Sequence, residues 1–209
     1  TADDQAETVL LALLRGGGLE SLSGMAPVSR PIVRPLLAVS REETLAFCRA
    51  RHLRPRYDPM NEDPSYMRAA VRGGVLPLIE ERVGRGVRAA MVRTASLLRD
   101  DARFLEAVAD EAARTVLESS DGPQPERRLR AASTTTLAKP VASRVVRRAL
   151  LSMGLLPDAG HIEAVLDLAA GRPGRRVSLP GGLIALRDRE YVRLSRPSSA
   201  GSPPAPPRR

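Results

Sequence analysis

The chain has 209 residues and a formal net charge of +9, and this length is enough for one or two domains with a hydrophobic core. It contains one cysteine, no tryptophan, two phenylalanines and three tyrosines, which argues against a disulfide framework, a cysteine-ligated metal site and a broad base-stacking platform. The sequence shows no signal peptide and no long apolar run, so we expect a cytoplasmic protein without a membrane partner.

The first predicted element is an acidic amphipathic helix. Asp3, Asp4 and Glu7 are spaced three and four residues apart, so their carboxylates lie on one flank of the helix. A buried stripe is predicted from apolar residues at helical spacing: Ala6, Val9, Leu10, Leu13 and Leu14. Acidic residues in a first turn also stabilise the positive end of the helix dipole without any catalytic role. The spacing alone leaves both interpretations open.

A turn, a strand and a second helix are predicted next. The glycines at 16–18 indicate a helix C-cap and a turn, because a phosphate-binding loop would have to follow a strand and open a helix. Residues 32–39 are β-prone. The string Ser-Arg-Glu-Glu at 40–43 forms a capping box, which predicts a helix over 41–52. Within that helix, we expect Cys48 to be a small core residue.

A short basic helix and a long apolar helix follow. Asp63 and Pro64 are suited to the N-cap and the first position of the short helix. Arg68 and Arg72 are four residues apart and therefore project from one face of it. The apolar pattern over 87–117 has helical period throughout, which predicts one long packing helix.

The last third of the chain contains helices, strands and a polar tail. Residues 119–126 carry turn-forming residues and are interpreted as a loop. Helices are predicted over 140–153 and 161–170. The segment after them is interpreted as two short strands around the Pro-Gly-Gly turn at 180–182. The tail, 196–209, is rich in proline and serine and is expected to be disordered.

The basic excess is concentrated in the later half. Between 127 and 148 the chain has no acidic residue and seven basic ones: Arg127, Arg128, Arg130, Lys139, Arg144, Arg147 and Arg148. We expect the last three to point outward from their helix. Such a stripe is typical of a nucleic-acid-binding surface. Arginine nearly replaces lysine throughout the chain, however, which would make any solvated face look basic.

Five short strings in register resemble the bacterial tRNA(Ile)-lysidine synthases, of the ATP-pyrophosphatase or PP-loop group. They are ADDQAET at 2–8, RGGGL at 15–19, RPLL at 34–37, DPMN at 58–61 and an arginine-containing segment that ends in LPL at 68–78. The resemblance extends to about residue 196. It implies an α/β remnant, the end of an adenine-nucleotide alpha-hydrolase-like PP-loop domain, followed by a mainly α-helical domain with a small C-terminal β-hairpin. The corresponding boundaries are 1–82 for the PP-loop part, 83–195 for a helical tRNA-binding domain and 196–209 for the tail.

The resemblance also implies a reaction. Cytosine O2 of the wobble cytidine in a tRNA(Ile) with a CAU anticodon attacks the α-phosphate of ATP, and pyrophosphate leaves. The ε-amine of free L-lysine then attacks C2 and AMP is released, which forms lysidine. ATP and Mg²⁺ are the implied cofactors. The oligomeric state stays open, with a homodimer as one option.

Site residues are carried over from the matching strings. Asp4 and Glu7 are the candidate lysine-site or catalytic carboxylates, and Asp3 is a weaker candidate for metal or ATP. Arg34 is a candidate phosphate or substrate contact, although an arginine before proline can equally hold a loop by hydrogen bonds. The candidate tRNA-binding residues are Arg68, Arg72, Arg144, Arg147 and Arg148. No residue is assigned as a metal ligand.

The chain departs from the family pattern in several places. Met60 stands where serine is usual in the DPMN string. Asp58 and Asn61 can therefore be interpreted either as part of an ordinary turn or as part of a functional loop. Ala69 and Gly73–Gly74 replace polar residues beside the two arginines. The family's Ser-Gly-Gly-x-Asp-Ser loop lies upstream of the acidic helix, so we expect a truncated chain that is inactive alone.

Two other interpretations are weighed against the ligase. The first is a non-catalytic tRNA-binding module left from a truncated PP-loop enzyme. The second is a PP-loop tRNA thiolase, but those enzymes typically use cysteine pairs and this chain has only Cys48.

Overall fold

The structure is a computed structural model that describes residues 1–56, 63, 65–120 and 125–196. It divides into two compact units, Thr1–Arg103 and Phe104–Arg209. The predicted DPMN loop with Asp58 and Asn61 and the tail predicted to be disordered, from residue 197 onward, lie outside the described residues.

The first unit begins with the acidic helix, α1, over Ala2–Leu14. Thr1 and Asp4 form a capping box at its start. Gly16 follows its end with a φ of 71°, a backbone conformation that glycine adopts without strain. The interpretation of the glycine-rich string as a C-cap and turn is therefore confirmed. A short helix, α2, follows over Leu19–Leu22.

The β-prone stretch at 32–39 forms much less strand than predicted. Strand β1 (Val28–Ser29) pairs antiparallel with β2 (Ile32–Val33), and residues 34–39 lie outside this ladder. The prediction of a longer strand is wrong because Pro31 and Pro35 lack the N–H that a ladder needs.

Helix α3 occupies Arg41–Ala50, and the capping box of Ser40 with Glu43 is confirmed. None of the ten described residues of α3 is buried. The expectation that Cys48 is a core residue is therefore wrong: its side chain is only partly buried, and the neighbouring Phe47 is 57% exposed.

From Met67 onward the first unit is mainly helical. The elements are α4 (Met67–Ala70), a π-helical turn (Val71–Val75), α5 (Leu76–Val83) and α6 (Val87–Val116), which continues into the second unit. Tyr66 is the N-cap of α4. Asp63, predicted as that cap, instead accepts a hydrogen bond at 2.9 Å from the backbone N–H of Ser65 in the preceding turn.

A small apolar cluster holds α1 against this helical stretch. Leu10 is buried with Val71 and Leu76, and three partly buried residues pack around them: Leu11, Ile79 and Met91. Since Glu7 lies about one turn before Leu10, the same packing brings Glu7 to the arginines of α4 and the π-helical turn.

The second unit consists of a five-stranded antiparallel sheet with helices. The strands are β3 (Leu117–Ser120), β4 (Glu126–Arg130), β5 (Arg176–Leu179), β6 (Leu183–Arg187) and β7 (Tyr191–Ser195), in the spatial order β3-β4-β7-β6-β5. The helices are α7 (Ala131–Thr136), α8 (Lys139–Ser152) and α9 (Ala159–Ala170). The predictions for α6, α8 and α9 are confirmed to within two residues at each end.

One face of this sheet packs against the helices. Leu129, Val192 and Leu194 are fully buried there with Val145 of α8 and Val165 of α9. The hairpin predicted around the turn at 180–182 is confirmed as β5 and β6. The segment after α9, predicted to form two strands, contains a third strand, β7. The loop predicted at 119–126 overlaps the end of β3 and the start of β4.

The described residues contain no helix that is long and apolar enough to cross a membrane.

Candidate functional site

The candidate site is built on the acidic flank of α1. Glu7 has no exposed surface at all, and the side chain of Asp4 is 32% exposed. Gln5, between them, is also buried. Its amide oxygen accepts from the backbone N–H of Met25 at 2.8 Å and its amide nitrogen donates to the Met25 carbonyl at 3.1 Å. These two hydrogen bonds attach the loop after α2 to α1.

Two arginines face the carboxylates of Asp4 and Glu7. Arg72 donates through Nε to Glu7 Oε1 at 2.6 Å and through Nη2 to Glu7 Oε2 at 2.9 Å, which is a bidentate pair. Arg68 Nε donates to Glu7 Oε2 at 2.9 Å. Asp4 Oδ1 accepts from Arg72 at 3.0 Å and from Arg68 at 3.2 Å. Two carboxylates and two guanidinium groups therefore form one cluster of ion pairs, in which Glu7 is fully buried.

The pKa values of two cluster members are shifted. Burial by itself raises the pKa of Asp4, but the hydrogen bonds that its carboxylate accepts from Thr1, together with the charge of Arg68, bring this pKa below its ordinary value. The hydrogen bond to Glu7 raises the pKa of Arg72. Both shifts favour the charged forms, the carboxylate of Asp4 and the guanidinium of Arg72.

Asp3 belongs to a second group of charges beside the first. Its carboxylate accepts a hydrogen bond at 2.7 Å from the backbone N–H of Arg41, in the first turn of α3. It also lies 3.4 Å from Arg88, which forms a second ion pair with Glu80 at 3.1 Å. Asp3 therefore connects α1 to the start of α3 and to α6.

A cavity of about 640 Å³ opens at these two groups. Its lining includes the acids Asp3, Asp4 and Glu7 and the arginines Arg41, Arg72 and Arg88. Thus all three carboxylates predicted from the sequence border one cavity. The sequence contains no signal for Arg41, Arg88 or Gln5, whose roles depend on contacts between distant segments.

Arg34, a predicted phosphate or substrate contact, is placed differently. Its guanidinium donates to the backbone carbonyl of Ala26 at 3.1 Å, and its backbone N–H donates to Pro27 at 2.8 Å. These contacts match the alternative in which Arg34 holds a loop.

The arginines predicted to bind tRNA fall into two separate groups. Arg68 and Arg72 belong to the cluster on α1. Arg144, Arg147 and Arg148 lie on α8, in the second unit. The expectation that all three point outward is wrong for Arg144, whose side chain is only 10% exposed and pairs with Glu106 at 3.2 Å. Arg148 also pairs with Glu106, and with Asp110 at 2.6 Å. Arg147 is exposed.

Comparison with known proteins identifies the family. Residues 1–79 match the family model described as the PP-loop domain, and residues 129–195 match the model described as the TilS substrate binding domain. Proteins named tRNA(Ile)-lysidine synthase are 39% identical over 183 residues in Leifsonia xyli and 41% identical over 194 residues in Streptomyces coelicolor. The chain belongs to the tRNA(Ile)-lysidine synthase family. A further relative of that name, from Nocardia farcinica, is 37% identical over 205 residues.

The matches to lysidine synthases cover most of this chain but less of the relatives. They include 87%, 90% and 94% of the chain, and 54%, 53% and 62% of the Leifsonia, Streptomyces and Nocardia proteins, respectively. The chain therefore spans somewhat more than half the length of these relatives. The predicted fold class, an α/β remnant of a PP-loop domain before a helical domain with a C-terminal hairpin, is confirmed. The predicted boundary at residue 82 stays a prediction.

Proposed function

We propose that the chain contributes the carboxylates of the lysine site and part of the tRNA-binding surface of an enzyme that ligates lysine to C2 of the wobble cytidine of tRNA(Ile). The observation that carries this proposal is the pair formed by Asp4 and Glu7 at the wall of a cavity. The carboxylate of Asp4 is partly exposed, and that of Glu7 is fully buried between two arginines. The PP-loop match over residues 1–79 covers this pair.

Asp4 and Glu7 have different roles in this proposal. Asp4 is the more exposed of the two and can receive the ammonium group of lysine from the cavity. Glu7 binds Arg68 and Arg72 and thereby fixes the position of the charges around Asp4. A lowered pKa makes Asp4 a good partner for a cation and a poor proton acceptor. Asp4 therefore holds the amine, and the base that deprotonates it is another group.

The arginines of the cavity suit the other substrate, ATP. Arg41, Arg72 and Arg88 line the cavity and supply positive charge near phosphate oxygens, although Arg72 and Arg88 also pair with Glu7 and Asp3. Stabilising the negative charge that develops when pyrophosphate leaves is the main requirement of the first step. Among the described residues, no group of three or more His, Cys, Asp or Glu side chains is arranged to hold a metal.

Lysine binding tests the proposal. The 209-residue chain is dialysed against radiolabelled lysine with ATP and tRNA(Ile). We expect Asp4→Asn to weaken lysine binding by about 10- to 100-fold, because a hydrogen bond to a charged group contributes about 1.5–3 kcal/mol. Glu81→Gln is the matched control, since this carboxylate is 71% exposed and lies on α5 away from the cavity lining. Equal lysine affinity of Asp4→Asn and the wild type would contradict the proposal.

A second candidate function is a non-catalytic tRNA-binding module. It is favoured by the closed ion pairs of the cluster, since Arg68 and Arg72 already neutralise Glu7 and Asp4. A lysine ammonium group must displace or share these partners. Binding of tRNA by the wild-type chain without any binding of lysine would favour this second candidate over the first.

A further inference from the structure

The sheet of the second unit has an open face on the side away from the helices. Leu129 and Val192 are fully buried on the helix side. Their neighbours Arg128 and Arg193, which point to the other side, are 44% and 41% exposed. Successive side chains of a strand alternate between the two faces of a sheet, so the second face carries exposed arginines and is accessible within unit two.

A row of arginines crosses this face. Arg176 of β5 lies opposite Leu186 of β6, Leu186 lies opposite Arg193 of β7, and Arg193 lies opposite Arg128 of β4. The row ends at Glu118 of β3, opposite Arg128. Adjacent strands are about 4.8 Å apart, so three cations follow one line across four strands.

Glu126 holds two of these arginines in place. Its side chain is 12% exposed and accepts from Arg193 at 2.7 Å, and also from Arg128. Burial by itself raises the pKa of Glu126, but the hydrogen bonds from Arg193 and Arg128 bring it below its ordinary value. Like charges directly opposite each other destabilise a sheet. One carboxylate shared by two guanidinium groups leaves a net positive charge, which an anionic partner would compensate.

An aromatic side chain borders the row. Arg130 lies 5.2 Å from the ring centre of Tyr191, its cross-strand neighbour, and pairs with Glu118 at 2.7 Å. The Tyr191 hydroxyl donates to the same Glu118 carboxylate at 3.1 Å. The flat arginine and tyrosine groups are therefore held in a fixed position beside the cationic row.

On the helical side of the second unit, two of the three arginines of α8 already have carboxylate partners. There, Arg144 and Arg148 are paired with Glu106, and Arg148 also pairs with Asp110. The basic segment at 127–148 is thus divided between the two sides of the sheet, and the C-terminal strands add Arg176 and Arg193 to one of them.

We propose that the outer sheet face, defined by Arg128, Arg130, Arg176, Tyr191 and Arg193, binds the sugar-phosphate backbone of tRNA. This inference rests on the proposed function for its partner and adds the surface that contacts it. The charge complementarity of three aligned arginines with phosphates supports RNA as the occupant. The family match described as a substrate binding domain, residues 129–195, includes all of these residues except Arg128.

Salt dependence of binding tests the surface. A face variant, Arg128→Gln with Arg176→Gln and Arg193→Gln, is compared with a control, Arg82→Gln with Arg103→Gln and Arg114→Gln. The control arginines are 75%, 66% and 73% exposed, lie on other elements and carry the same total charge. Affinities for tRNA(Ile) and for an unrelated RNA hairpin are measured by fluorescence anisotropy between 50 and 200 mM salt.

A plot of log affinity against log salt concentration should be less steep for the face variant than for the wild type, by about 2–3 in slope. Between 50 and 200 mM salt, the affinity of the wild type should therefore fall by a factor about 15 to 60 times larger than that of the face variant. The change should be similar for both RNAs, because phosphate contacts carry no sequence information. The control should keep the wild-type slope to within about 0.5. If the variant loses affinity for both RNAs but the wild type does not prefer tRNA(Ile), the result supports the RNA-binding surface and contradicts the proposed function.

Three outcomes would contradict the proposed RNA-binding surface. The first is an identical salt slope for the face variant and the control, and the second is no binding of either RNA by the wild type. The third is a wild-type dimer that the face variant converts to a monomer while RNA binding is unchanged. The last outcome, measured by sedimentation velocity, would make a second copy of the chain the occupant. Arg176→Gln alone keeps the test decisive if the triple variant misfolds. It lies at an exposed position of an edge strand, and we expect it to flatten the slope by about 1.

Discussion

Replacing the buried carboxylate of the cluster by an amide should destabilise the first unit strongly. Glu7→Gln keeps the shape of the side chain but removes the charge that Arg68 and Arg72 contact through three hydrogen bonds. Breaking a fully buried ion pair costs about 3–5 kcal/mol. Arg68 and Arg72 are 47% and 25% exposed, so water partly replaces their lost partner, and we expect a loss of about 2–3 kcal/mol.

Thermal unfolding followed by circular dichroism measures this loss. For a unit of about a hundred residues, 2–3 kcal/mol corresponds to a decrease of roughly 8–20 °C in the Tm of the first transition. Glu81→Gln is the control and should change the stability by less than about 0.5 kcal/mol. A double-mutant cycle with Arg72→Gln should give a coupling energy of at least about 1 kcal/mol. A Glu7→Gln protein as stable as the control would refute the conclusion that the cluster is a desolvated ion-pair network.

Three further results are expected. Leu10→Ala should cost about 2–5 kcal/mol, because Leu10 is 5% exposed in its cluster, whereas Leu13→Ala, at a position 58% exposed, should cost less than about 1 kcal/mol. The ionised carboxylate of Glu126 stabilises the fold at pH values above its ordinary pKa of 4.5, and this stability is lost as the pH falls through its lowered pKa. Glu126→Gln should therefore make the free energy of unfolding depend less on pH in the acidic range. Arg147→Gln should flatten the salt slope of tRNA binding by about 1.

For each of these three predictions, a different result would contradict the reasoning behind it. Equal costs for the two leucine variants in urea unfolding would mean that the apolar cluster does not hold α1. A wild-type stability that rises as pH falls below 4.5 would contradict the sign derived for Glu126. A slope unchanged by Arg147→Gln in the anisotropy assay would mean that this exposed residue of α8 does not contact phosphate.

Some elements could be predicted because their signals are local. The capping box of Ser40 and Glu43, the glycine after α1 and the apolar periods of α6, α8 and α9 each lie within one segment. The strands β3 and β4 could not be found in this way, because Leu-Glu-Ser-Ser and Glu-Arg-Arg-Leu-Arg have little apolar character. They form strands because β4 pairs with β7 and buries Leu129.

The candidate site divides in the same manner. The spacing of Asp3, Asp4 and Glu7 predicts one acidic flank, and the spacing of Arg68 and Arg72 predicts one basic face. Each face alone also fits a solvated helix. The structure shows that the two faces meet, which follows from the packing of Leu10 on residues of the 67–83 stretch.

The family resemblance, the acidic and basic helix faces and most helix positions can be read from the sequence, because they depend on residues that are close together in the chain. Which charges pair can be seen only in the folded chain. It joined Glu7 to arginines more than sixty residues away, enclosed Arg144 beside Glu106 and aligned Arg128, Arg193 and Arg176 across neighbouring strands. Burial and cross-strand register determine the partners of a charged side chain, and both depend on long-range packing.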